Sequence, residues 1–112
     1  MDEIITNEAG GKQSRIEGQI TEVPPLALIE ISKVMSEGRK KYPREPDGTP
    51  NWHKIGCMSN LDHAGEHLCK FLAIRNQTVI PMLDEDAAMQ EELSHFACRA
   101  MMALEQFLRN EL

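Results

Sequence analysis

The segment 84–110 is the strongest constraint on what this chain can fold into. Leu93, Phe96, Ala97, Ala100, Met101, Leu104, Phe107 and Leu108 recur there with a helical period. Asp84, Glu85 and Asp86 open the segment, where negative charge suits the start of a helix dipole. A long amphipathic helix owes most of its stability to apolar surfaces packed against it, and two more helices are predicted to supply them. One spans 25–41: Pro24-Pro25 opens it, Leu26, Leu28, Ile29, Ile31, Val34 and Met35 give it a broad apolar face, Gly38 weakens its last turns, and Pro43 ends it. The other spans 57–75, with Ser59 as an alternative cap that moves its start to 60. Its apolar side is Leu61, Ala64, Leu68, Phe71, Leu72 and Ile74. The connection 76–83 carries Pro81, and no strand alternation is convincing anywhere. The expected fold is all-α, a helical bundle of three main helices over 23–112, preceded by a flexible arm at 1–22 that carries Gly10-Gly11.

Three helices do not close a four-helix bundle. The fourth is expected from the arm or from a second copy, so a homo-oligomer, dimer or tetramer, is anticipated. Chain length points the same way, because 112 residues bury only roughly 65% of their unfolded surface when they fold alone.

Charge narrows the function. Lys and Arg number 12 and Asp and Glu 18, for a net charge of −6, which argues against neutralising the phosphates of a nucleic-acid polymer. No apolar run is long enough for a membrane span, and the start of the chain has no basic, then apolar, signal pattern. Cys57, Cys69 and Cys98 are an odd number without metal or redox spacing, which reads as reduced packing cysteines of a cytoplasmic protein.

Two polar clusters interrupt the apolar helices. His63, Glu66, His67 and Lys70 share one side of the second helix, next to Asp62, and Glu91, Glu92 and His95 lie within one turn on the third. Antiparallel packing would set these clusters across one groove, where a divalent cation is the usual neutraliser of so many anionic ligands. A solvated surface is the plainer alternative. His63-Ala64-Gly65-Glu66-His67 also spells the H-x-x-E-H zinc-peptidase pattern, with Glu92 as a distant ligand, but 112 residues leave little with which to build a peptide cleft. The loop 42–55 holds three of the six prolines and the only Tyr and Trp of the chain. Arg39, Lys40 and Lys41 precede it, placed to suit a helix C-terminus or to hold phosphate oxygens. Tyr42 and Trp52 can stack on a planar base, and Asn51 can bond its edge. Trp52 as a plug pinning the loop to the bundle is the structural alternative.

In their order, Asn51-Trp52, Leu61-Asp62-His63-Ala64-Gly65-Glu66 and Glu91-Glu92-Leu93-Ser94-His95 resemble the MazG-like all-α nucleoside triphosphate pyrophosphohydrolases. Pro24-Pro25-Leu-Ala-Leu-Ile-Glu30, Gly38-Arg39-Lys40-Lys41-Tyr42, His63/His67 and His95-Phe-Ala97 resemble the phage dATP/dGTP diphosphohydrolase (MazZ-type) branch more closely, over roughly residues 24–108. The resemblance implies hydrolysis of a purine deoxynucleoside triphosphate, dGTP or dATP, to the monophosphate and pyrophosphate with Mg²⁺ or Mn²⁺. It implies Glu66, Glu92 and His67 in catalysis. Metal ligands would come from Asp62, His63, Glu66, Glu91, Glu92 and His95, and the two histidines, His63 and His95, stand where the wider superfamily has acids. Arg39 and Lys41 would hold phosphate, and Tyr42, Asn51 and Trp52 the base or sugar. If the chain is phage-encoded, it would act in the host cytoplasm. The rival class is a non-catalytic, small acidic helical protein that binds a partner of a phage.

Overall fold

The computed structural model of the chain describes residues 3–76 and 85–111. Helix α1 spans Pro25–Lys41, α2 spans Cys57–Arg75 and α3 spans Glu85–Leu108. The all-α reading holds. Pro25 at the start of α1 needs no N–H partner. The residue before α2 is Gly56, so the start at 57 stands and the alternative start after Ser59 does not. The third helix was expected to run to 110 but ends at Leu108, because Asn110 takes the left-handed conformation with φ 59°. Its N–H bonds to Phe107 O and that of Glu111 to Gln106 O, the two-bond cap that closes helix C-termini. The expected start at Asp84 and the connection 76–83 lie outside the described residues, apart from Asn76.

The arm is not wholly irregular. Strands β1 (Ile4–Thr6) and β2 (Lys12–Ser14) pair antiparallel, Ile5 opposite Gln13. A turn over residues 7–11 joins them: Asn7 Oδ1 accepts the Gly11 N–H at 2.8 Å and Gly10 takes φ +87°. Strands of three residues are too short to show alternation in sequence, and every residue in both is exposed.

Helices α2 and α3 form the main packing, and α1 lies against α3. The pair is antiparallel: Cys57 Sγ meets Ala103 O at 3.5 Å at one end, and His67 meets Glu92 at the other. Their seam is made of small and polar side chains. Cys57, Ala64, Cys98 and Ala103 are its buried apolar members, while Asn60 and Gln106 are enclosed polar ones, 0% and 1% exposed. Of the expected apolar stripes, only Ala64 is a fully buried member of this seam. Phe96, Ala97, Ala100 and Met101 are half-buried, but Leu61, Leu72, Leu93, Leu104, Phe107 and Leu108 stay exposed. Small residues let two helices approach closely, and that is the face α3 turns to α2. No helix among the described residues is long and apolar enough to cross a membrane.

Candidate active site

The antiparallel register of α2 and α3 brings part of the two polar clusters together. His67 Nδ1 lies 2.7 Å from Glu92 Oε2, both side chains about four-fifths enclosed. The His95 ring stands 5.0 Å from that of His67, centroid to centroid, tilted by 35°. Burial pushes the pKa of His95 below its ordinary value, and the neighbouring His67 adds to this; Glu91 and Glu92 oppose it, and Arg99 lowers it further. The net result favours a neutral His95 ring at pH 7.

Of the remaining members, Asp62, Glu66 and Glu91 stand apart. Glu66 is 61% exposed at its side chain and pairs with Lys70 at 3.2 Å. That ammonium, first through its hydrogen bond, holds the Glu66 carboxyl below the usual range. Asp62 and His63 are exposed on α2, and Glu91 is exposed on α3. Glu91 lines a smaller groove between α1 and α3 together with Glu30 and Glu37. Among the described residues no three His, Cys, Asp or Glu side chains form a group that could hold a metal ion. The donors expected from the sequence are thus present on α2 and α3, but within one chain they do not converge on one point.

A cleft of about 1020 Å³ lies between the C-terminal half of α1, the loop 42–55 and the α2–α3 seam. Arg39, Lys40, Lys41, Arg44 and Arg99 line it with three histidines, His63, His67 and His95; its one carboxylate, Glu37, is spoken for by Lys40 at 3.1 Å. A concave surface of this sign within a chain of net charge −6 favours a compact polyanion. Tyr42, Asn51 and Trp52 line the same cleft. Lys41 Nζ sits 5.3 Å from the centre of the Tyr42 ring, and Trp52 meets His53 edge-on at 4.3 Å. The structure therefore gathers Arg39, Lys41, Tyr42, Asn51, Trp52, His63, His67 and His95 around one space.

The loop that carries Trp52 is ordered by its own chemistry. The Glu45 N–H donates to the Thr49 carbonyl at 2.9 Å, Asp47 Oδ1 accepts the Thr49 N–H at 2.9 Å, and Gly48 supplies the φ of +89° that the turn requires. Lys54 pairs with Glu45. The short 3₁₀ turn Asn51–Lys54 is then tied to α3 by Gln106, whose Nε2 donates to the carbonyls of Trp52 and Ile55.

Asn60, Arg99 and Gln106 were not singled out in the sequence. One signal was there. Cys57, Asn60, Ala64 and His67 share a helical stripe, as do Glu92, His95, Arg99, Ala103 and Gln106. Here these stripes of polar and small residues are the ones that meet in the seam.

The fold is all-α, and its cationic cleft and carboxylate–imidazole pair suit a compact polyanion. The family model of the dATP/dGTP diphosphohydrolase, N-terminal, matches residues 7–112. The chain belongs to that family, whose name is that of a hydrolase. No curated protein and no solved structure matches it.

Proposed function

We propose that the chain hydrolyses a purine deoxynucleoside triphosphate, dGTP or dATP, to the monophosphate and pyrophosphate, in the manner of the MazG-like enzymes and in the cytoplasm. The observation that carries this reading is the cationic cleft with His67 and His95 on its wall, and the family name supports the substrate. Arg39 and Lys41 would bind the phosphates, and Tyr42, Asn51 and Trp52 would hold the base or sugar.

His67 is the best-placed base. Its Nδ1 is engaged by Glu92, so Nε2 is the nitrogen left for a water proton. As water adds to phosphorus and the α–β anhydride bond breaks, the proton moves to Nε2, and the Glu92 carboxylate stabilises the imidazolium that forms. Pyrophosphate leaves with the electron pair of the broken bond. Mg²⁺ or Mn²⁺ is part of the proposal: Asp62, His63, Glu66, Glu91, Glu92 and His95 are the donors that would help to hold it, and it would neutralise charge on the triphosphate.

The proposal includes a second copy of the chain. Leu104 and Phe107, 57% and 65% exposed, belong to the face that a partner would cover.

Purified protein supplied with dGTP or dATP and either ion should yield monophosphate and pyrophosphate on anion-exchange chromatography, with no diphosphate intermediate. No monophosphate from any deoxynucleoside or ribonucleoside triphosphate, with either ion, would overturn the reading.

A further inference from the structure

Asn60 and Gln106 are enclosed side chains in the seam, and a buried amide is costly unless its donors and acceptors are matched. Here the bonds run in only one direction. The carbonyls of Trp52 and Ile55 can only accept, so Gln106 presents Nε2 to them. Its Oε1 is left to accept Asn60 Nδ2, at 2.7 Å. Asn60 Oδ1 then faces Arg99, a donor without acceptors, at 2.8 Å. Turning either amide over would set like groups against each other.

The relay ends in the cleft. Arg99 stands one turn beyond His95 on α3 and lines the cleft with His67 and His95. Among the described residues no ion pair neutralises it; its bond is to a neutral amide. A guanidinium has five N–H donors in a fixed plane. One is spent on Asn60, which sets the orientation of the group and leaves donors and a full charge for a ligand. Planar paired donors of this kind suit the oxygens of a phosphate. The flat groups that suit a base, Tyr42 and Trp52, belong to the loop and not to this wall.

We propose that Arg99 is a phosphate-binding residue of the cleft, aimed by Asn60 and Gln106 at the triphosphate beside His67. The inference rests on the nucleotide reading above and adds to it. The same Gln106 side chain that orients Asn60 also ties down the backbone at Trp52, so one buried amide pair sets both walls of the cleft.

Calorimetric titration of the full chain with Mg²⁺–dGTP tests it. Arg99→Gln should weaken binding about 10- to 100-fold. It should also flatten the salt dependence of the affinity, which lost packing alone would not do. Wild-type protein that fails to bind dGTP would overturn the nucleotide reading itself. Wild-type binding with Arg99→Gln equal to it within twofold would overturn only this inference. A second measurement needs no variant: phenylglyoxal modification of wild-type protein, read at Arg99 by peptide mass spectrometry. Saturating dGTP and inorganic tripolyphosphate should each slow modification at Arg99. An unchanged rate with both, or protection by dGTP alone, would overturn the phosphate assignment.

Discussion

Helix α3 has two faces built on opposite rules. The face toward α2 carries Glu92, His95, Arg99, Ala103 and Gln106, small or polar, and it is the packed one. The other carries Leu93, Leu104, Phe107 and Leu108, large and apolar, and it is exposed. In a self-sufficient small domain the assignment would be reversed, because large apolar side chains supply most of the burial free energy. The difference separates two tasks. The inner seam sets His67, Glu92, His95 and Arg99 through directional bonds, while the outer face carries large apolar side chains that this chain leaves uncovered.

The largest expected effect breaks the outer face. Leu104→Glu with Phe107→Glu places two charges where a second copy would pack. Light scattering should then report a mass near 12.7 kDa, where the wild type should give a multiple of it; a wild-type mass already at that value would remove the outer face's role. Next is the seam. Gln106→Ala leaves Asn60 Nδ2 and the Ile55 carbonyl without their partner, while the Trp52 carbonyl keeps the Ile55 N–H, and should cost about 2–4 kcal/mol in urea unfolding. A loss below about 0.5 kcal/mol would mean that the enclosed amides are not a structural unit.

The smallest effect is electrostatic. Burial holds the His95 pKa below its ordinary 6.5, so on acidification the unfolded chain takes up its proton first. Stability from this group is therefore complete above about pH 6.5 and is lost as pH falls toward the folded-state value. His95→Gln should flatten the pH dependence of the urea midpoint between pH 7 and 5, and an unchanged slope would show that the ring is not held neutral.

Much of the backbone was legible in the sequence. Pro24-Pro25 and Pro43 bracket α1, and the bounds of α2 agree with its pattern to the residue, because prolines and glycines act locally. The hairpin at Ile4–Thr6 and Lys12–Ser14 was missed, since its stability comes from the Asn7–Gly11 turn and not from alternation. The seam was missed for a different reason. Reading the largest apolar stripe as the core presumes that the chain buries its own stripe, and here Leu104 and Phe107 face outward. The candidate site was legible as residue types: His67, Glu92 and His95 do meet, and Arg39, Lys41, Tyr42, Asn51 and Trp52 do line one cleft. The i, i+4 spacing of Glu66 and Lys70 was legible, but the exposure of the pair was not, since a helical period gives two sides without saying which one a neighbour covers. Asn60, Arg99 and Gln106 escaped notice because their meaning lies in bonds across 39 to 46 residues of sequence.

The most direct test of the account is the steady-state rate of dGMP release by Glu92→Gln, with circular dichroism and molecular mass measured on the same sample. A carboxylate that acts through the His67 base should be needed in the chemical step and not in binding. The account predicts a kcat lower by about 100-fold or more, with KM, helical content and mass close to wild type. A kcat within a few-fold of wild type would contradict it, and the His67–Glu92 pair would then be a structural contact of the seam.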